Sequence, residues 1–225
     1  VVRPGIDPTA FAARIESPER DRLRAMLGVA PDQLLVGTVS CLKPQKSPED
    51  FVRVAALVCQ RVPAARCVLV GDGALRPKVE ALLLAQGLQD RVTLLGWRRD
   101  VAALLKAFDV FVLTSQWEGL PCAILEARAS RIPIVATRVG GAAEAIVEGI
   151  QGTLCPAGDV RAMAERVCQI LEDERFRVDL RTGTQELPEE FTIQETLKQY
   201  QSLYAYLLHA TRPSEDVMKL QPNRL

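Results

Sequence analysis

The chain has 225 residues, 48% of them hydrophobic, which is enough to bury the core of one large domain or two small ones. Its 28 Lys and Arg balance its 28 Asp and Glu, so no overall field gathers nucleic acid or anionic lipid, and neither is expected as a partner. No apolar stretch approaches the roughly 18 to 20 residues that cross a bilayer and no leader-like segment is present, so no transmembrane segment and a cytoplasmic location are expected.

In chain order, the sequence begins Val1-Val2-Arg3-Pro4-Gly5-Ile6-Asp7, with no initiating methionine and a Pro-Gly turn ahead of any periodic segment. It reads as the middle of a longer protein, with residues 1–33 a linker and an entry helix near 17–28. From residue 34, short apolar runs alternate with amphipathic stretches. Strands are predicted at 34–39, 67–70, 92–95, 110–113, 132–136 and 152–155. Helices are predicted near 48–62, 75–86, 100–107, 121–130 and 141–148. Continuous rather than alternating apolar strands, each followed by a helix, predict an α/β fold: a Rossmann-like parallel sheet with helices on both faces and ligands at the carboxyl ends of the strands. This domain is expected over 34–182. Helices continue over about 159–181 and 192–208, the last forming a crossing segment over 183–209. Its stripe Leu197, Tyr200, Leu203, Tyr204 and Leu207 reads as a packed face. Residues 210–225, polar and proline-containing, read as a disordered tail.

The chemically loaded segments fall where strands end. The fullest is Glu118-Gly119-Leu120-Pro121-Cys122-Ala123-Ile124-Leu125-Glu126, after the run Val110–Leu113. A strand, a glycine turn and a proline at the first helical position aim backbone N–H groups and a helix's positive end at one spot, where an anion is expected. Glu126 leans back toward that end, so both carboxylates border one pocket and suit the hydroxyls of a ribose or a sugar. A capped helix with a solvated Glu is the plainer alternative.

Other positions carry two readings each. Lys46 precedes Ser47-Pro48, a good helix start, and is either a phosphate contact or a loop lysine. Trp97 either stacks on a base or packs on a helix. Asp72 reads as a turn residue and Asp100 as a helix cap. Gly140-Gly141 permits either a close backbone approach or a tight turn, and Glu144 sits in a first helical turn. The inventory narrows the chemistry further. His209, the only histidine, lies near the end, so a Ser-His-Asp or Cys-His arrangement in the body of the chain is excluded. Six scattered cysteines form no Cys-x-x-Cys pair, and no Asp-x-Asp is present to hold a divalent cation on a diphosphate, so no metal is expected.

In order, these segments resemble the retaining glycosyltransferases of family 4. The stretch from Glu118 to Glu126 matches their E-x7-E motif. It is accompanied by Leu42 to Lys46, Val70-Gly71-Asp72-Gly73, Leu95-Gly96, Glu126-Ala127 and Gly140-Gly141-Ala142-Ala143-Glu144 with Gly152. The resemblance covers about residues 1–208 and implies the C-terminal, donor-binding half of a GT-B fold. It implies a nucleotide-diphosphate sugar as substrate rather than a cofactor, and a sugar or lipid-linked acceptor held by a separate N-terminal domain. That missing domain would also mediate any peripheral membrane contact. By the same resemblance Lys46 contacts the donor diphosphate and Glu118 lies beside the transferred sugar. Gly119 and Leu120 hold phosphate or sugar oxygens through their backbone, Glu126 takes the ribose hydroxyls, and Gly96, Trp97 and Arg98 flank the base. One departure is Cys41, where members often carry arginine; Lys43 lies close enough in sequence to replace the charge. A non-catalytic nucleotide-sugar-binding module and a GT-B nucleotide-sugar epimerase remain as alternatives. A dinucleotide-binding domain is disfavoured, because no Gly-x-Gly-x-x-Gly follows the first strand.

Overall fold

Each of the six apolar runs forms a strand: β1 (Leu34–Val39), β2 (Ala65–Val70), β3 (Val92–Gly96), β4 (Val110–Leu113), β5 (Ile134–Thr137) and β6 (Gly152–Cys155). The computed structural model describes residues 2–12, 17–183 and 187–210, without the side chains of Ser17, His209 and Ala210. In it the strands pair in parallel in the order β3-β2-β1-β4-β5-β6. The tail 211–225 lies outside the described residues.

Alternation along each strand explains why the runs are mostly apolar rather than alternating with polar residues. Val36, Cys67, Leu69, Val110, Val112, Val135 and Cys155 face one core, together with α3 (Pro48–Arg61) and α8 (Val160–Glu172). Their neighbours Leu35, Val68, Val70, Phe111, Leu113, Ile134 and Ala136 face a second core with α5 (Val101–Ala107) and α6 (Cys122–Ala129). With both faces covered, both sets of positions favour apolar side chains, with the small threonines Thr38 and Thr137 as buried exceptions.

The remaining helices are α1 (Thr9–Ala12), α2 (Ser17–Met26), α4 (Arg76–Ala85), α7 (Ala142–Ala145), α9 (Glu174–Gly183) and α10 (Ile193–Ala210). Several boundaries depart from the sequence expectation. The helix expected over 159–181 is two, because Asp173 takes an extended conformation and its Oδ1 accepts the Phe176 amide at 2.9 Å, capping α9. Pro133 has no ladder donor, so β5 begins at Ile134 rather than 132. The helix expected over 141–148 is the single turn α7. The stripe on α10 is not packed: Leu197, Tyr200, Leu203, Tyr204 and Leu207 are all exposed, and Tyr200 stacks on Tyr204. The sheet's two faces are already covered, and α10 runs off the molecule after Thr196. The segment before α1 is stitched to its start, with Ile6 donating to the Phe191 carbonyl at 3.0 Å and accepting from Ile193 at 2.8 Å.

After β1 the chain builds outward through β2 and β3, then returns to place β4 on the other side of β1. Loops leaving β1 and β4 therefore diverge and open a crevice at their carboxyl ends.

Candidate functional site

Two loops face each other across that crevice. The first leaves β1 and makes one 3-10 turn, Pro44–Lys46, before α3. The second leaves β4 and runs from Thr114 to Pro121. They meet through Lys46 and Glu118, whose Nζ and Oε1 lie 2.5 Å apart. The Glu118 side chain is only 5% exposed and its Oε1 also accepts the Ser115 hydroxyl at 2.6 Å. Burial of this carboxylate is compensated by a cation and a hydroxyl that both reach its Oε1. Gln45 completes the junction, its Nε2 donating to the Trp117 carbonyl at 2.9 Å.

Beyond Glu118 the chain turns into α6. Pro121 is the residue capping that helix rather than its first residue, a correction of one position, and Cys122 begins the helix. The amides of Gly119 and Leu120 donate to nothing among the described residues, and with α6 behind them they form an electropositive lip. Glu126 sits one turn into α6. Its carboxylate makes no hydrogen bond or ion pair among the described residues, and burial alone pushes the carboxyl above the ordinary range. The Cys122 thiol, raised by burial and then by the Glu126 charge, also feels Lys46 and Glu118. These four side chains therefore share one neighbourhood.

The Gly140-Gly141 turn closes the crevice from the β5 side. Gly141 donates to the Gly119 carbonyl at 2.5 Å. Gly140 has φ +46, and a Cβ there would collide with the Glu118 carbonyl. A close backbone approach is therefore its role, of the two that sequence left open. Glu144, on α7, points away to Arg3 at 3.1 Å, which also holds Glu190 at 3.0 Å.

The remaining predicted residues lie farther along the rim. Lys43 and Cys41 are both exposed, and among the described residues the Lys43 ammonium has no ion pair. Gly96 ends β3 with φ +67, its carbonyl accepting the Gly71 amide at 2.8 Å. Trp97 is 68% exposed and lies under the Arg99 guanidinium at 5.2 Å, so of its two readings the helix-packing one fails. Arg98 is engaged: Asp100 accepts from its Nε at 2.8 Å and its Nη2 at 2.5 Å. Asp100 occupies the cap position of α5 without capping it, since its carboxylate has gone to Arg98. Asp72 stands just before the turn that leads into α4 rather than in it, its carboxylate accepting its neighbour Gly73's amide at 2.8 Å and Arg76 Nη1 at 3.1 Å.

Sequence reading missed Ser115, Gln45 and Thr114. Gln45 and Ser115 lie in segments the sequence marks as loaded but without a role of their own, and the bonds of Gln45 and Thr114 reach residues roughly 70 positions away, which no spacing marks. Among the described residues no group of three His, Cys, Asp or Glu side chains is placed to hold a metal ion, and no helix is long and apolar enough to cross a membrane.

Comparison with known proteins gives this arrangement a setting. The family described as glycosyl transferases group 1 matches residues 19–187. The UDP-Gal:alpha-D-GlcNAc-diphosphoundecaprenol alpha-1,3-galactosyltransferase of Escherichia coli is 29% identical over 91% of the chain and 53% of its own length. The N-acetyl-alpha-D-glucosaminyl L-malate synthase of Bacillus anthracis is 31% identical over 81% of the chain and 48% of its own length. Among solved structures, HepE of Anabaena in complex with UDP and glucose superposes with a TM-score of 0.82 at 26% identity, covering 91% of the chain and 56% of HepE. The chain thus spans about half the length of the relatives it matches.

Proposed function

Because the chain belongs to the group 1 glycosyl transferases, we propose that the crevice between β1 and β4 holds a nucleoside-diphosphate sugar, with UDP as the nucleotide. The observation that carries this reading is the pair of unengaged amides at Gly119 and Leu120, standing at the start of α6 beside Lys46. Donors fixed before the ligand arrives, together with one cation, suit a diphosphate. The UDP and glucose bound by HepE, and the UDP-Gal in the name of the Escherichia coli relative, support uridine as the base.

In this reading, Glu126 accepts hydrogen bonds from the vicinal ribose hydroxyls, and Gly96 and Trp97 flank the base. Arg98, tied to Asp100, shapes that loop rather than reaching the base itself. Glu118 borders the transferred sugar. As the glycosidic bond breaks, negative charge grows on the departing diphosphate, and Lys46 with the α6 amides stabilises it. Removing one such fixed donor typically costs on the order of 3 kcal/mol of barrier lowering. Lys46 is already oriented by Glu118, so little reorganisation is needed at that step. The transfer retains anomeric configuration and uses no resident metal or cofactor, and the acceptor is positioned by protein outside this chain. A role in building a polysaccharide or glycolipid in the cytoplasm follows from the same reading.

Thermal unfolding of the chain with UDP, GDP, ADP and their common sugar conjugates tests the proposal. A nucleotide present at about a hundred times its Kd adds about 2.7 kcal/mol to stability. UDP and its sugars should raise the midpoint most, and no shift with any nucleotide would end this reading.

A further inference from the structure

We propose that Thr114 is a positioning residue for Lys46, holding the loop that carries it in a strained form against the end of β4. The inference rests on the reading of Lys46 as a diphosphate contact. Thr114 is the first residue beyond β4 and is 3% exposed. Its hydroxyl lies 3.0 Å from the carbonyl oxygen of Lys46 and 3.0 Å from that of Ser47. In an extended chain, successive carbonyls point to opposite sides. They converge on one hydroxyl only where the backbone between them curls back.

Ser47 supplies that curl. Its φ of 44° and ψ of 58° place it in the left-handed region, which residues with a Cβ seldom enter. Its side chain does not relieve the strain by capping α3, since the hydroxyl donates to Asp50 Oδ2 at 2.7 Å. That carboxylate also takes Gln116 Nε2 at 3.2 Å, and the Gln116 amide donates to the Gln45 carbonyl at 2.8 Å. Strained residues persist where their surroundings over-determine them. Of these ties, Thr114 is the one that lands on the carbonyl of Lys46 itself. It thereby sets the direction in which the chain leaves the lysine, and with it the point where the ammonium meets Glu118.

Calorimetric titration of the full chain with UDP and with uridine, for Thr114→Val, Thr114→Ser, Lys46→Ala and the Thr114→Val/Lys46→Ala double variant, tests the proposal. Thr114→Val should weaken UDP about five- to tenfold, the effect of one lost hydrogen bond, and leave uridine within about twofold. Thr114→Ser, which keeps the donor, should recover most of the UDP affinity. In the Lys46→Ala background Thr114→Val should add nothing further, because the threonine acts only through the lysine. Equal loss of UDP and uridine, or an additive loss in the double variant, would assign Thr114 a general structural role and overturn the inference. If Lys46→Ala costs UDP affinity and Thr114→Val costs none, the inference alone fails. If the parent itself does not prefer UDP to uridine, the diphosphate reading fails and takes this one with it. Should Thr114→Val not fold by circular dichroism, Thr114→Cys, similar in size but a weak donor, is read by the same criteria.

Discussion

At the scale of single residues, the site is defined by which carboxylate has partners. Glu118 is held through one oxygen by Lys46 and Ser115, whereas the Glu126 carboxylate is half-buried with no partner among the described residues. An ionised acceptor in that state suits ligand hydroxyls, and Glu126→Gln should weaken UDP binding by about 1 to 3 kcal/mol with the fold unchanged. Equal calorimetric affinity of variant and parent would remove Glu126 from the site. Because its folded-state pKa lies above the unfolded 4.5, the folded chain holds the proton more tightly, and stability falls as pH rises from about that value through the raised one. The unliganded Glu126→Gln protein should therefore be at least as stable as the parent at neutral pH and should lack that decline. Denaturant midpoints taken across the acidic to neutral range check the sign. This carboxylate was legible in the sequence, because its distance from the glycine turn alone places it one turn into a helix. The pairing of Lys46 with Glu118 was not, since 72 residues separate them and nothing in either motif names the other.

At the scale of elements, the crevice depends on ties made at both ends of the strands. Far from it, Asp109 precedes β4 and ties α2 to β1. It accepts Arg20 Nη2 at 2.8 Å, Arg24 Nη1 at 2.9 Å and the Leu35 amide at 2.8 Å. Burial pushes its carboxyl up, but the Leu35 amide and the two guanidinium groups outweigh that and hold it below the ordinary range. Asp109→Ala would leave Arg24 buried without its counter-charge and should cost about 3 to 5 kcal/mol in denaturant unfolding. The Asp109 contribution is fully present above the unfolded pKa of 3.8 and is lost as pH falls through the depressed folded value. The parent should thus lose more stability on acidification than the variant, and parallel acid profiles would show that the ion pairs contribute nothing net. Near the crevice, Gly140→Ala would place a Cβ on the Glu118 carbonyl at a residue with φ +46. It should lower UDP affinity severalfold while the sheet survives by circular dichroism; unchanged affinity would separate the glycine turn from the site. Strands were readable at this scale because burial on both faces makes their residues mostly apolar in continuous runs. The break between α8 and α9 was not, because Asp173 occurs inside an uninterrupted helical pattern and only its capping bond reveals the stop.

At the scale of the molecule, the candidate site faces solvent at one edge of the sheet. The periodicity of α10 was legible, but what covers it was not, because an apolar stripe specifies contact without naming a partner, and Tyr200, Leu203 and Tyr204 remain exposed. The crevice itself opens at the carboxyl ends of β1 and β4, with Trp117, Gly119 and Cys122 at its mouth, all exposed. A donor held there would meet solvent on its reactive side. Productive transfer needs donor and acceptor near attack distance with water excluded, and that positioning accounts for about 7 to 11 kcal/mol of barrier lowering. This 225-residue chain, about half the length of the relatives it matches, should therefore bind UDP yet form no glycoside. Incubation with radiolabelled UDP-sugars and a panel of sugar and lipid-linked acceptors measures this directly, with spontaneous donor hydrolysis as the baseline. Glycoside above that baseline would show that the residues between Lys46 and Glu126 position both substrates unaided, and the proposal that the acceptor is held by protein outside this chain would be withdrawn.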